Sequence, residues 1–493
     1  MVDQVATPDA INPQDESFLA RVPVEVLLRI TRWIPTVDLA KVRLTCKVLE
    51  RNLFNFFAHE FFRKKQFMVS TSSLQALIDI SKHSTLSPFL KHVIICTDRL
   101  NELYAYQQAD PQKISNLRRA QADQANLLSM GLLRDMLAEA FSALPNLDII
   151  DLRDFNSPSR NRDNAEWRSY GSVSLRESTG VGLSTNASSG LQDAYPTQVF
   201  TAIIAALEAS GAQPSNIEVL LRHRNWGLFD SAFAIPARLE PKLAPILANL
   251  KTLHLTFCIQ HESFMIQDFL AMARNVTWLR LNFNYVSRVS SAQEPGPTMF
   301  RWLEHPESDT PINDFDRQPV SFPNLERFDI GNVDLAGKTV LKLIAKFSPT
   351  LKHLSLRRVF LLDTARDIEE KTNPWTNLFN AIKKIRGIQL RVLELSELHH
   401  GTLDHMQFRE PITFTAGKDE LSLYSSCSRN SFKRTTDRMS LDALIQTVTE
   451  TMICSWPHRQ RILPDASDSE MDVDSEDNED EDEDEDEELV NDE

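Results

Sequence analysis

The sequence predicts an α/β protein: an N-terminal helical unit, then an irregular solenoid of short parallel strands and helices, then a disordered acidic tail. The first observation is a dense apolar segment with helical spacing over residues 18–67. The second is a strand-like phrase that recurs between residues 86 and 398, with helical stretches between its copies. The third is an acidic run over residues 465–493, which predicts disorder, as does the polar composition of residues 1–17.

Composition narrows the class of protein. The chain has 493 residues, 42% of them hydrophobic and 25% charged, so most of it can bury a core. Only 13 residues are glycine, which argues against an enzyme built on glycine-rich phosphate-binding loops. The longest nearly apolar stretch, residues 199–207, is shorter than the ~20 residues of a membrane span, and the N-terminus has no signal-peptide pattern. We therefore expect neither a membrane span nor secretion.

Cysteine usage indicates the compartment. The number of cysteines is odd and no CxxC pair occurs, which is typical of free thiols in a reducing environment. We therefore expect the protein in the cytoplasm, the nucleus or both. The cysteines are Cys46, Cys96, Cys258, Cys427 and Cys454.

The net charge of −16 comes entirely from the tail. Residues 465–493 hold 19 of the 69 acidic residues and no Lys or Arg, which leaves 50 acidic against 53 basic residues elsewhere. Ser467 and Ser469 each have an acidic residue three positions later, a pattern that resembles an acidophilic casein-type kinase site. We predict phosphorylation at these two serines, which would add negative charge.

The N-terminal unit is predicted to contain two amphipathic helices. Pro23 suits the first position of a helix, Pro35 ends that helix, and Thr36 can cap the next one. Apolar residues then follow at steps of three and four as far as an aromatic segment near residue 57. A unit of about 45 residues is too small for a secure core of its own, so its remaining apolar surface predicts a partner.

The segment VPVEVLLRITRWIPTVDLAKVRLTCKVLERNLFNFF, residues 22–57, resembles an F-box. The matching positions are Val22-Pro23, Glu25, Ile30, Ile34, Asp38-Leu39, Leu44 and Cys46-Lys47. The chain departs from the family at Val22, where Leu is commoner, and in lacking a Trp in the aromatic region. The resemblance is to a fungal-type F-box protein with an irregular leucine-rich-repeat-like C-terminal region. It implies docking on a Skp-type adaptor through Val22, Pro23, Glu25, Ile30, Ile34, Leu39, Cys46, Leu53 and Phe57.

The second pattern is the phrase Leu-x-x-Leu-x-Leu, whose last three residues predict a short strand. Copies begin at residues 147, 250, 276, 325, 351 and 390, with weaker copies at 90 and 217. The shortest steps between copies match the leucine-rich repeat length of about 20–29 residues. We therefore expect residues 68–456 to form a leucine-rich-repeat-like solenoid, with insertions at 156–194 and 286–320. Helices are predicted at 127–144, 197–210, 264–274, 339–347 and 375–385, and a capping helix within 437–456.

Alternation along the predicted strands separates inward from outward side chains. Inward positions such as Leu253, Leu279 and Leu354 should be structural. The outward positions would line a concave face. We expect a protein target to bind either this face or the insertions at 156–194 and 286–320. The outward positions include Asp151, Arg153, His254, Arg280, Asp329, Arg357 and Glu394.

No constellation of catalytic, cofactor-binding or metal-binding residues stands out. The histidines at 399, 400 and 405 lack partners at ligand spacing, and no Walker or Gly-x-Ser-x-Gly motif occurs. Short basic clusters at 63–65, 222–224 and 383–386 are interpreted as solvated helix faces. We therefore expect no enzymatic activity, no cofactor and no direct binding of nucleic acid.

By resemblance, the chain is predicted to be the substrate receptor of a Skp–cullin–F-box ubiquitin ligase. The F-box would bind the adaptor, and through it the cullin core, while the repeats would hold an unidentified protein target. The alternative is a chromatin- or histone-associated scaffold that uses the acidic tail to shield basic partners. The two hypotheses differ in whether binding depends on residues 18–67.

Overall fold

The computed structural model describes residues 18–100, 110–156, 168–181, 194–222, 227–258, 264–283, 298–306, 317–362, 365–401, 410–415, 426–428, 430–435 and 440–456. The chain divides into two units, Met1–Ser455 and Trp456–Glu493, and only Trp456 of the second unit is described. Residues 1–17, the acidic tail with Ser467 and Ser469, and His405 lie outside the described residues.

Three helices form the N-terminal region: α1 (Val24–Thr31), α2 (Thr36–Thr45) and α3 (Lys47–Phe62). Pro23 and Pro35 directly precede α1 and α2, and Thr36 is the first residue of α2 rather than its cap. The expected single second helix is divided because Cys46 has extended backbone angles, φ −157° and ψ 157°. A separate apolar cluster of Leu27, Leu39, Leu49, Leu53 and Phe61 holds the three helices together.

The rest of the unit is built on a sheet whose first nine strands are parallel and pair in chain order. These strands are β1 (Lys64–Met68), β2 (His92–Cys96), β3 (Ile149–Arg153), β4 (Asn216–Leu220), β5 (Thr252–Phe257), β6 (Trp278–Phe283), β7 (Arg327–Ala336), β8 (His353–Leu362) and β9 (Val392–Ser396). Each copy of the recurring phrase contributes one strand, and β1 adds a strand that the phrase does not predict. The fold is therefore α/β with a mostly parallel sheet.

Short strands complete the C-terminal end of the sheet: β10 (His399–Gly401), β11 (Glu410–Phe414), β12 (Ser426–Ser428), β13 (Ser431–Thr435) and β14 (Met452–Cys454). Strand β10 is parallel to the second half of β8, while β11, β13 and β14 make antiparallel pairs. Strand β8 kinks at Arg358, whose φ of 53° interrupts the alternation of side chains. Arg357 and Arg358 are consequently both exposed.

Helices connect most of the strands. They are α4 (Thr71–Lys82), α5 (Pro111–Ser129), α6 (Leu132–Ser142), α7 (Ser172–Thr179), α8 (Tyr195–Ser210), α9 (Glu240–Ala248), α10 (Phe264–Met272), α11 (Thr298–Glu304), α12 (Gly337–Phe347), α13 (Ala365–Glu370), α14 (Pro374–Ile382) and α15 (Leu441–Thr451). The helix predicted from residue 127 is divided at Gly131, whose φ of 74° suits glycine and separates α5 from α6. No described helix is both long enough and apolar enough to span a bilayer.

One face of the sheet packs in the main apolar core. Leu253, Leu279 and Leu354 occupy equivalent positions on this face, and each is fully buried. The structure describes residues 168–181 of the expected 156–194 insertion. The backbone N–H of Tyr170 donates to the carbonyl of Gln66 on the edge strand, and α7 follows. The cluster at residues 63–65 is not on a helix face as expected, because Lys64 and Lys65 begin β1.

Candidate functional site

The opposite face of the sheet is polar. Side chains at equivalent register positions form a row across the strands, because parallel neighbours are in register and alternate residues share a face. This row, here called the central row, consists of Gln66, Ile94, Asp151, Glu218, His254, Arg280, Asp329, Ser355, Glu394 and Lys433. Five of the seven predicted outward residues belong to it, while Arg153 and Arg357 lie two positions further along their strands.

Asp329 is the centre of the best-connected group on this face. Arg327 Nε donates to its Oδ1 at 2.8 Å, and Arg280 Nη2 donates to its Oδ2 at 2.7 Å. The indole Nε1 of Trp278 adds a third donor at 3.0 Å. Burial would raise the pKa of Asp329, but the bonds and charges of Arg327 and Arg280 outweigh it and hold that pKa below its usual value.

A second carboxylate, Asp151, is fully buried on the central row. Arg153 Nε donates to its Oδ2 at 2.6 Å, and His92 Nε2 lies 3.1 Å from the same oxygen. The other oxygen, Oδ1, has no hydrogen-bond partner among the described residues. Arg153 also comes within 3.9 Å of Glu218, whose pKa is raised by burial and by the nearby charge of Asp151.

His254 lies between these two groups. Its side chain is 3% exposed, and its ring meets the Trp278 ring edge-on with 4.4 Å between the centroids. Neither ring nitrogen forms a hydrogen bond with a described residue. Burial, and next the positive charge of Arg280, lower the pKa of His254 to about 3. The imidazole is therefore neutral at physiological pH.

Glu394 lies on β9, the last of the nine parallel strands, and contacts three basic or imidazole side chains. His353 Nε2 lies 3.3 Å from its Oε2, Lys433 contacts its Oε1, and Arg327 reaches Oε2 at 3.4 Å. The contact with His353, followed by that with Lys433, lowers the pKa of Glu394 to about 2 against the opposing effect of burial. A continuous set of ion pairs therefore joins β6, β7, β9 and β13, and His353 on β8 lies beside it.

The structure separates the predicted outward residues by exposure. Four of them are buried rather than solvated: Asp151, Arg153, His254 and Asp329. Arg280 and Glu394 are partly exposed, and the Arg357 side chain is 64% exposed. Three further members of this face were not predicted: Glu218, Trp278 and Arg327. Glu218 is itself an outward position of β4. Trp278 and Arg327 each lie two residues before an outward position of their strand.

The residues assigned to the N-terminal surface also fall into two groups. Leu39 and Leu53 are fully buried in the cluster of the three helices, so their role is internal. Val22, Ile34, Cys46 and Phe57 are half-buried against the same cluster. Pro23, Glu25 and Ile30 are exposed, with Glu25 in the first turn of α1, where a negative charge is favoured.

Several large apolar side chains on α1, on α2 and in the turn between them are exposed. Trp33 is 88% exposed, Leu44 is 82% exposed and Val37 is 65% exposed. Val26 and Ile30 on α1 are also exposed. We call these five residues the α1–α2 apolar surface. Of the five, only Ile30 was predicted to bind the adaptor.

Among the described residues, no three His, Cys, Asp or Glu side chains are grouped as a metal site. His400, one of the histidines considered for metal binding, is buried and lies 2.9 Å from the carbonyl of Ser455 and 3.2 Å from Cys454 Sγ. Comparison with protein-family models and with curated proteins finds no match for this chain.

Proposed function

We propose that the chain is the substrate receptor of a Skp–cullin–F-box ubiquitin ligase. Its N-terminal helices bind the Skp-type adaptor, and the polar face of its leucine-rich-repeat-like solenoid binds a protein target. The proposal rests on the resemblance of residues 22–57 to an F-box, since a fold alone does not specify a function.

The observation that carries the proposal is the α1–α2 apolar surface. Its members lie on a three-helix cluster that has its own small core and is separate from the main core of the sheet. Five large apolar side chains exposed on so small a unit support a protein–protein interface there. Trp33 is the side chain best suited to anchor such an interface, because large aromatic residues dominate binding energy at interface centres.

The polar face supports the receptor half of the proposal. Strands β3 to β9 present charged and aromatic side chains from seven segments of the chain in fixed register. The paired charges hold each other's orientation, so a partner would meet a preorganised surface rather than mobile side chains. In this role the chain contributes proximity: it holds target lysines near a ubiquitin-transferring enzyme and performs no covalent chemistry itself.

Affinity purification with mass spectrometry from cells that express the tagged full-length chain tests this proposal. The wild-type chain should retain a Skp-type adaptor and a cullin, and Trp33→Asp should lose both because a charge would be buried at the interface without a partner. Met130→Asp is the matched control, since Met130 is also exposed but lies at the end of α5, outside the N-terminal cluster.

Recovery of the adaptor with Trp33→Asp at the wild-type level would contradict the proposal. The scaffold alternative predicts a different pattern. It requires basic partners that persist with Trp33→Asp and are lost when residues 465–493 are deleted, because those residues hold the acidic charge of the tail.

A further inference from the structure

Two arginines share one aromatic ring beside the polar face. Phe155 follows the end of β3, and the guanidinium carbon of Arg222, which follows β4, lies 3.6 Å from the centroid of its ring. The guanidinium carbon of Arg153 lies 5.3 Å from the same centroid. The ring therefore fixes two positive groups next to each other at the carboxyl ends of adjacent parallel strands.

The two guanidinium groups differ in what they already bind. Arg153 is buried and is bonded to Asp151. Arg222 is exposed, and its guanidinium forms no ion pair with any carboxylate in the described part of the chain. Asp154 is nearby, but both of its oxygens accept from the backbone N–H of Arg222 at 2.9 Å. Among the described residues, no carboxylate oxygen therefore accepts from the Arg222 fork, whose donors can bind a ligand.

The charge of a third arginine, Arg357 on β8, also acts on the Arg222 guanidinium. Arg357 is 64% exposed, and the only carboxylate that pairs with it among the described residues is Glu397, at 3.7 Å. Burial lowers the pKa of Arg222, and the positive charges of Arg153 and Arg357 lower it further against the opposing negative charge of Asp154. An anion bound among these arginines would relieve that repulsion and would receive donors in the planar geometry that suits a carboxylate or a phosphoryl group.

We infer that Arg222, stacked on Phe155 beside Arg153, binds an anionic side chain of the protein target. The inference rests on the proposed receptor function, and it identifies the target class as a peptide that presents a carboxylate or a phosphoryl group. Phe155 acts as a positioning residue, because its uncharged ring orients the guanidinium groups and does not itself bind the anion.

Fluorescence anisotropy with the full-length chain tests the inference. The probes are three fluorescein-labelled peptides, Gly-Ser-Gly-X-Gly-Ser-Gly, in which X is phosphoserine, glutamate or serine. The wild-type chain should bind the phosphoserine or the glutamate peptide at least about tenfold more tightly than the serine peptide, which corresponds to about 1.4 kcal/mol. The tighter of the two anionic probes identifies the source of the anion.

Arg222→Gln should reduce binding of the anionic peptide at least about tenfold, and Phe155→Leu should also weaken it, because the ring that orders the fork is lost. Arg222→Lys should recover only part of the affinity, since an ammonium lacks the planar fork. Arg238→Gln, at another exposed arginine, is the matched control and should bind like the wild type. The urea midpoint of each variant separates loss of binding from loss of folding.

Equal binding of the three probes by the wild-type chain would overturn the inference, as would undiminished binding by folded Arg222→Gln and Phe155→Leu. Adaptor binding, measured on the same samples, distinguishes failure of the proposed function from failure of the inference. A chain that binds the anionic peptide but no adaptor contradicts the proposed function alone, while one that binds the adaptor but discriminates none of the peptides contradicts the inference alone.

Discussion

Arg327 and Asp329 lie two residues apart on the same face of β7, with 2.8 Å between Arg327 Nε and Asp329 Oδ1. Arg280 on the adjacent strand completes the arrangement at 2.7 Å from the other carboxylate oxygen. One buried carboxylate thus lies between two guanidinium groups and reduces the repulsion between them. The stability of the polar face therefore depends on Asp329 more than on any of its exposed ion pairs.

Asp329→Ala should lower the free energy of unfolding by about 3 kcal/mol, because it leaves two arginines without their buried partner. Urea unfolding followed by circular dichroism measures the difference. Glu326→Ala is the control. Glu326 and Lys352 directly precede β7 and β8 and form an exposed ion pair at 2.5 Å. Loss of this pair should cost under about 1 kcal/mol. Equal effects of the two substitutions would contradict the central role of Asp329.

Glu394 should contribute stability that depends on pH. Its folded-state pKa of about 2 lies below the ordinary value of about 4.3, so the folded state releases its proton more readily than the unfolded state. The contribution is present above about pH 5 and is lost as the pH falls towards 2. The difference in unfolding free energy between wild type and Glu394→Gln should therefore be largest near pH 6 and shrink on acidification. A difference that does not change with pH would refute this assignment.

His254 should make the free energy of unfolding depend on pH over a higher pH range than Glu394 does. Its folded-state pKa of about 3 lies below the ordinary value of about 6.5, so between these values the unfolded state binds a proton that the folded state does not. Stability then rises with pH by up to about 1.4 kcal/mol per unit over this range. His254→Gln should remove this part of the slope between pH 4 and 6, measured by urea unfolding. A slope that His254→Gln leaves unchanged would contradict this assignment.

Leu279 and Leu44 should separate stability from binding. Leu279 is fully buried on the apolar face of β6, so Leu279→Ala should cost about 2–5 kcal/mol of unfolding free energy. Leu44 is 82% exposed, so Leu44→Ala should change stability by less than about 0.5 kcal/mol and should instead weaken adaptor binding. Thermal unfolding and an adaptor pull-down on both variants provide the comparison. A strong loss of stability in Leu44→Ala would show that this side chain belongs to a core.

The strands of the parallel sheet could be predicted because each one carries the same apolar alternation. Even the weak copies at residues 90 and 217 become β2 and β4. Strand β1 was missed because Lys64, Lys65 and Gln66 give it a polar beginning that resembles a solvated helix end. The break at Cys46 was missed because the apolar spacing continues across it, and the spacing alone does not reveal an extended residue.

The polar face could be predicted as a set of positions but not as a set of contacts. Alternation along β5 and along β7 places His254 and Asp329 on that face. Their contacts with Trp278 and Arg280 come from β6, which lies between those two strands. The N-terminal surface shows the same limit. Helical spacing groups Ile34 with Trp33, but the chain turns between α1 and α2, so Trp33 is exposed while Ile34 packs against the cluster.

Isothermal titration calorimetry of the purified full-length chain with a Skp-type adaptor tests the central claim most directly. We expect the wild-type chain and Met130→Asp to bind the adaptor with a micromolar or lower Kd. The double variant Trp33→Asp with Leu44→Asp should keep the wild-type urea midpoint, since both side chains are exposed, and should show no measurable binding. Absence of binding by the wild-type chain at micromolar concentrations, or wild-type affinity in the double variant, would contradict the account.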